Sequence, residues 1–563
     1  MITLELDEVR RLTGPNLLWD KPGAIVDVLF DGIDSGKVVT TWQHWIECLL
    51  AEFDWQQAHT FRLYQGGASF AVSAPMDALY TACEIAELAW HCSAAELENT
   101  TLPDWQKRLE ALKVELAAEV NPDLLNLIQA AQKHGVTCIS DDDDVSLGMG
   151  AQVDVWPVRH LPHLEQIDWQ KYRDIPRAFI TGTNGKSTSV RLASHIARAA
   201  GINAGVTSTD FIKVGDEIID TGDYSGPGGA RMLLRDTRTE MAFLEVARGG
   251  ILRRGIPVES VDAGLITNVA SDHLGQYGIN TVEELAQTKF VVAKGLNSIG
   301  TLVVNADNPL VIEQAKQLSS TLCWFSTDEN NPLILKQIEN GGAAVFVKGD
   351  TLIYHHQGHF EAVLPLEDIP MTMNGAAVHN VQNALGVVGL CMALALPLSA
   401  VREGLHLFGS NAADNPGRGN IYNIKGATVI VDFAHNEHSM RAVVSTANQL
   451  GGKRKVAMFS HAGDRSDKEI KDLTDAVAGL DADLYVVSEL ERYLRGRNRG
   501  EISGIAASHL RSLGVSNEKI KLVDDPIQGT HIATANLKPG DLVLLFVLAD
   551  REPIHNFLTS IAD

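Results

Sequence analysis

Residues 178–190 read Ala-Phe-Ile-Thr-Gly-Thr-Asn-Gly-Lys-Ser-Thr-Ser-Val, an apolar strand running into a small glycine loop, a lysine, hydroxyls and a helix. Those residue types in that order make a phosphate cradle. Gly182 and Gly185, with Thr183 and Asn184 between them, let backbone amides approach a polyphosphate. Lys186 reaches the outer phosphates, and Ser187 or Thr188 supplies a hydroxyl to magnesium. The ordinary P-loop has four residues between its glycines; this loop has two.

Further residues with chemical potential follow in order. Glu245 closes the apolar run Met241–Val246, where a carboxylate can reach magnesium or serve as a surface charge at a strand end. Thr267-Asn268-Val269-Ala270-Ser271-Asp272-His273 follows another apolar run, and an Asp-His pair there can orient a metal or a water. Lys289 sits in a helical pattern, where an isolated lysine is ordinarily exposed. His379–Ala384 opens a helix, Asn415-Pro416-Gly417-Arg418 is a turn carrying a cation, and Asp432-Phe433-Ala434-His435-Asn436 follows a strand.

The elements that must hold these residues divide the 563-residue chain into three expected parts, 1–165, 166–412 and 413–563. In the first, Ala24–Phe30 alternates as a strand, and Trp42–Ala58, Asp77–His91, Asp104–Glu119 and Leu124–His134 read as helices. Its acidic run Asp141–Asp144 reads as a solvated loop, with a divalent metal as the alternative. In the second, the runs at 178–181, 241–246, 263–267 and 301–305 alternate with helices, the rhythm of a mostly parallel α/β sheet. Thr207–Asp236 reads there as a long polar, glycine-rich loop. In the third, strands at 429–433, 455–460, 484–488 and 542–547 alternate with helices at 438–450 and 468–478.

Composition narrows the partners. With 47 basic and 71 acidic side chains the net charge is −24, which argues against nucleic acid or an anionic membrane as the main partner. Six scattered cysteines form no CxxC pair, so neither a zinc site nor a disulfide framework is expected. No apolar stretch approaches the roughly 18 residues of a membrane span, and the acidic N-terminus is unlike a signal peptide; a cytoplasmic protein is expected.

Taken together, the loop, Glu245, the Asn268–His273 segment, Lys289, Asn305-Ala306-Asp307, His379–Ala384, Asn415–Arg418 and Asp432–Asn436 resemble the Mur ligase family of ATP-dependent amide-forming enzymes. Thr207–Asp210, Gly222-Asp223, Gly226-Pro227, Ala247–Arg253, Asp272–Gly275, Arg495–Arg497 and Gly500-Glu501 resemble the Mur-type half of its cyanophycin synthetase branch, and Leu12–Asn16 resembles that branch's N-terminal opening. The chain departs from that branch between 135 and 178, where no room exists for an ATP-grasp module. The resemblance then implies only one of the branch's two ligations, the one that joins an amine to a side-chain or terminal carboxylate.

The same resemblance implies an α/β architecture of three domains: an α+β N-terminal domain, a P-loop central parallel sheet and a Rossmann-like C-terminal domain. It implies ATP and Mg2+ as cofactors, with Lys186, Glu245, His273 and Lys289 catalytic. Ser187 (or Thr188) and Glu245 would hold one magnesium and His273 a second, and Lys289 matches the lysine that such enzymes often carbamylate. Asn383 would contact adenine, with Arg418, Asp432 and His435 near phosphates or ribose. Thr209, Asp210, Arg248, Arg253, Arg495 and Arg497 would face substrate. By analogy the branch implies a homo-oligomer. Rival readings are a P-loop NTPase, a non-catalytic partner of a full synthetase and a folylpolyglutamate-type ligase.

Overall fold

A computed structural model describes residues 2–53, 55–409 and 411–563. The chain forms two compact units. The first takes the chain through Val269, with His273–Cys323 and Leu390–Leu396; the second takes Ala270–Asp272, Trp324–Gly389 and Pro397–Asp563.

The first unit opens with an antiparallel sheet of β1 (Thr3–Leu12), β2 (Gly23–Asp31), β3 (His59–Tyr64) and β4 (Gly67–Ser73), in the order β1-β2-β4-β3. Helix α1 (Ser35–Glu52) is capped by Asp34, whose side chain accepts from the Lys37 amide. It begins seven residues before the expected start at Trp42 and ends before Trp55–Ala58, which leads into β3; Asp54 lies outside the described residues. Helix α2 (Leu79–Leu97) also outruns its expected end at His91. Both helices bury apolar faces on the sheet, where Trp42 stacks on Phe70 at 4.5 Å between ring centroids, beside Trp90. Inside this apolar layer Arg10 is ion-paired to the fully buried Asp27, which also accepts from Ser69 Oγ at 2.6 Å.

Helices α3 (Trp105–Glu119) and α4 (Pro122–His134) follow, and α4 ends at Gly135 in the left-handed region (φ 66°). A small antiparallel sheet comes next: β5 (Cys138–Ser140), β6 (Asp144–Leu147) and β7 (Asp154–Pro157). The acidic run is the expected loop, with Asp142 and Asp143 exposed, and it is also an ion-pair hub. Asp141 accepts from Arg235 at 2.7 Å, and Asp142 pairs with Arg11 at 2.5 Å and accepts from Tyr80 at 2.8 Å. The arginines that neutralise it come from distant segments, beyond the reach of local charge counting.

The second sheet of this unit holds β8 (Arg177–Thr181), β9 (Ala204–Thr207), β10 (Phe211–Val214), β11 (Glu217–Thr221), β12 (Met241–Glu245), β13 (Val261–Ile266) and β14 (Leu296–Asn305). Their order is β11-β10-β9-β12-β8-β13-β14. The five strands β9, β12, β8, β13 and β14 are parallel, and β10 and β11 add an antiparallel edge. Helix α5 (Lys186–Ala199) follows β8, α6 (Pro227–Leu234) precedes β12, and α7 (Arg248–Arg254) and α8 (Val282–Phe290) flank β13 in sequence. The expected loop 207–236 is therefore largely structured: its Gly215 turn closes the β10–β11 hairpin and its Gly226-Pro227 opens α6.

In the second unit, β15 (Thr321–Ser326) pairs in parallel through Trp324–Ser326 with β16 (Ala344–Lys348). From β16 an antiparallel meander continues through β17 (Thr351–His356) and β18 (His359–Pro365). A further sheet runs β19-β20-β24-β21-β22-β23, with β19 (Arg418–Ile424) antiparallel to β20 (Ala427–Asp432). The remaining strands β21 (Lys455–Phe459), β22 (Leu484–Ser488), β23 (Ile520–Val523) and β24 (Leu542–Phe546) are parallel to β20. Apolar side chains fill both faces of this sheet. No helix among the described residues is long and apolar enough to cross a membrane.

Candidate active site

Parallel α/β sheets present their ligands at the carboxyl ends of the strands, where the strand order reverses. Here β8 is central, with β12 on one side and β13 on the other, and the glycine loop leaves its carboxyl end. Gly182 has a steric reason to be glycine: a Cβ there would lie 1.9 Å from Thr267 Oγ1. Gly185 takes φ 85° as the cap of α5, so the helix opens with no side chain blocking its first amides.

The end of β13 braces the loop. The Thr183 amide donates to Asn268 O at 2.9 Å, and the Asn184 amide to Asn268 Oδ1 at 3.0 Å. Thr267 Oγ1 and Asn268 Nδ2 both donate to Asn184 O, at 2.6 and 3.1 Å. Asn268, which in the sequence is only part of a metal- or water-orienting segment, is thus the residue that shapes the loop. Lys186 folds back over it, its Nζ donating to Gly182 O and Thr183 O at 3.0 Å each. Lys289 is not the exposed lysine that its helical position suggests. It is 4% exposed on α8, and its Nζ donates to Gly182 O at 2.9 Å.

On the other side of β8, Glu245 ends β12 and is 1% exposed. Its Oε2 accepts from the Thr209 amide at 3.4 Å, and Thr209 Oγ1 lies 3.2 Å from Ser187 Oγ. Thr209 thus links Ser187 to Glu245 beside the loop, through its hydroxyl on one side and its amide on the other, and the serine and carboxylate oxygens are donors suited to a hard cation such as Mg2+. Thr188 is buried on the first turn of α5. Asp210 is ion-paired with the buried Arg191. His273 adopts a positive φ of 49°, and its carbonyl accepts from Arg248 Nη1 at 2.7 Å. Arg248 also donates to Gln276 Oε1 at 2.6 Å. Arg253 lies exposed on α7 with its guanidinium 6.0 Å from the Tyr277 ring.

The second unit carries the other candidates. Asp432 is buried at the end of β20, accepts from the Ala434 amide at 2.7 Å, and is cross-strand partner to Arg418. Burial pushes its carboxyl up to about 6, against the opposing pull of Arg418 and backbone amides. Arg418 lies over the Phe433 ring at 4.5 Å. Burial likewise pushes His435 down to about 4, so it is neutral near pH 7. Arg465, which the sequence marks out in the Gly463-Asp464-Arg465 segment after a strand, donates to Asp272 Oδ1 at 3.4 Å and to His435 O at 3.5 Å. Asn383 is buried and donates to Asn380 Oδ1 at 3.1 Å. Arg497 is drawn into local structure, pairing with Asp467 at 2.8 Å and Glu501 at 2.9 Å, whereas Arg495 is exposed with one long contact to Asp464 at 3.4 Å.

This fold and loop belong with a recognisable class. Residues 180–391 match the Mur ligase middle domain and residues 417–546 the Mur ligase glutamate ligase domain, so the chain carries two domains of the Mur ligase family. Among its relatives is the cyanophycin synthetase of Geminocystis herdmanii, 36% identical over 376 residues, which covers 66% of this chain and 42% of the synthetase. The chain therefore matches less than half the length of that relative. The UDP-N-acetylmuramoyl-L-alanyl-D-glutamate–2,6-diaminopimelate ligase of Geobacter metallireducens is 25% identical over 393 residues, 66% of this chain and 73% of that one. In fold the chain is similar to E. coli FolC in complex with DHPP and ADP, with a TM-score of 0.52 at 19% identity over 69% of this chain and 88% of FolC.

Proposed function

We propose that this chain is an ATP-dependent carbon–nitrogen ligase that activates a carboxylate as an acyl phosphate and joins it to an amine. One observation supports this most: the glycine loop with Lys186, the linked group of Ser187, Thr209 and Glu245, and the buried Lys289 all converge at the carboxyl ends of neighbouring parallel strands. The family match supports the ligase class. The matched middle and glutamate ligase domains support a ligation of the Mur type.

A free carboxylate does not react with an amine near neutral pH; phosphorylation supplies a leaving group. Positioning and charge neutralisation then do most of the catalysis. In this reading the α5 N-terminus and Lys186 hold the β- and γ-phosphates, which requires Lys186 Nζ to exchange its loop carbonyls for phosphate oxygens. Mg2+, held by Ser187 and Glu245 with Thr209 beside them, would neutralise phosphate charge. His273 would help hold a second ion. Lys289 braces Gly182 as an amine; carbamylation would turn it into an anion suited to that second ion. Asn383, Arg418, Asp432 and His435 would meet the nucleotide, and Arg248 would face the carboxylate substrate. The division into 1–165, 166–412 and 413–563 assigns them to their domains.

The test is Lys186→Ala. Carboxylate-dependent ATP turnover should fall at least a hundredfold while circular dichroism and melting temperature stay close to the parent. Undiminished turnover, or turnover that needs no carboxylate, refutes the reading.

A further inference from the structure

Beside α7 the first unit contains a cavity of about 830 Å³, a volume suited to a small-molecule ligand. One wall comes from the N-terminal sheet, the other from α7 and the turn 275–280. The charges on the two walls differ in sign. Asp7, Glu8 and Asp31 line the sheet side; Arg248 and Arg253 line the helix side. Asp7, Glu8, Asp31 and Arg253 enter no ion pair among the described residues. Asp7, Asp31 and Arg253 are exposed and Glu8 is half-buried, so these charges are open to a ligand that enters the cavity. The sheet also departs from regular pairing here: Leu6 pairs with Val28 and Glu8 with Asp27, so Asp7 is the extra residue of a bulge, a device that re-aims side chains. The cavity adjoins the site in sequence, because β12 ends at Glu245 and α7 begins at Arg248.

We propose that this cavity selects the carboxylate-bearing substrate, and that this substrate is a zwitterionic amino acid or short peptide. Its free amine faces Asp7, Glu8 and Asp31, and a carboxylate besides the reacting one meets Arg253. Three carboxylates on one wall repel a phosphate-bearing substrate, so a nucleotide-linked carboxylate is selected against. The inference rests on the ligase reading and names the substrate class that reading leaves open.

The test uses the full chain with ATP, Mg2+ and hydroxylamine, on a panel of alanyl-aspartate, aspartyl-alanine and alanyl-glutamate, each free and N-acetylated. Phosphoryl transfer from ATP to a carboxylate gives an acyl phosphate and ADP. The hydroxylamine nitrogen then attacks the carbonyl, the carbon–oxygen bond to phosphate breaks, and hydroxamate and phosphate leave. No natural amine partner is needed. Calorimetric titration of the same peptides onto the AMPPNP-loaded chain gives a second readout. At least one free peptide should react with a KM at least tenfold below its N-acetyl form. The combined change Asp7→Asn, Glu8→Gln and Asp31→Asn should erase that difference by raising the free peptide's KM tenfold or more, with kcat within twofold and AMPPNP affinity unchanged.

Equal KM for free and acetylated peptides, unchanged discrimination in the triple variant, or preference for a UDP-linked carboxylate overturns the inference and leaves the ligase reading standing. Absence of both hydroxamate and peptide binding also overturns the inference. The ligase reading is judged separately, by whether ATP turnover depends on Lys186 and on any carboxylate.

Discussion

Asp432 offers the clearest titration in the molecule. Its carboxyl is pushed up to about 6 by burial, so the folded chain holds that proton more tightly than the unfolded chain does. Its contribution to stability is therefore full below the ordinary aspartate range and is lost as pH rises through 6. Each tenfold change in proton affinity is worth about 1.4 kcal/mol, so the loss amounts to about 3 kcal/mol across the window from 4 to 6. Asp432→Asn should gain up to that much on the parent between pH 4 and 7, measured as the difference in denaturant unfolding at each pH. A difference that stays flat over that window refutes the assignment. His435 runs the opposite way: pushed down to about 4, it favours the folded state while neutral, and that contribution is lost as pH falls from 6.5 through 4. Arg10 and Asp27 make a different kind of prediction. Arg10→Met leaves a carboxylate buried without its cation and should cost about 3–5 kcal/mol, read as a fall in melting temperature.

The strand ends and the loop between them show what is readable in the sequence and what is not. The glycine loop, β8, β12 and β13 are legible because apolar runs, glycines and a lysine are local signals. The group of Ser187, Thr209 and Glu245 is half legible: Ser187 and Glu245 stand out, while Thr209 joins them only because β9 lies beside β12. Lys289 looks exposed because helical periodicity reports a face but not what packs on it; α8 turns that face to the loop. The hairpin β10–β11 reads as loop because β11 is exposed along its length and lacks the alternation of a half-buried strand, with Ile218 and Ile219 side by side among polar residues. The partners of the acidic run 141–144 are not legible for a longer-range reason, since its arginines are about ninety residues or more away in sequence. Gly182 yields a prediction for this part of the fold. Gly182→Ala drives a Cβ into Thr267 Oγ1 and should cost about 1–3 kcal/mol while weakening AMPPNP binding at least tenfold. Unchanged affinity by calorimetry would show that the loop tolerates a different path.

Across the whole chain, separate apolar cores fill the N-terminal sheet and the two faces of the sheet that begins at β19. Two compact units with cores of their own should not melt as one. Scanning calorimetry should resolve more than one transition, and a calorimetric enthalpy equal to the van't Hoff enthalpy in a single peak would refute this. Within the first unit the N-terminal sheet is bonded to the surroundings of the glycine-loop sheet at several points. Arg62 on β3 donates to Tyr277 O at 2.9 Å and to Gly278 O at 3.1 Å, Arg10 donates to Leu252 O at 3.3 Å, and the Thr13 amide donates to Arg254 O at 2.9 Å. The Ile256 amide returns a bond to Pro15 O at 2.8 Å, and a Cβ on Gly255 would strike Gly14 O at 2.5 Å. These bonds restrict how such a protein can diverge. Recombination that replaced the first 165 residues with a foreign segment would strand the carbonyls of the 277–278 turn and jam the Gly14–Gly255 crossing. A change of specificity compatible with these bonds is a point change along the cavity wall, one that leaves Arg10, Arg62 and the Gly14–Gly255 crossing in place.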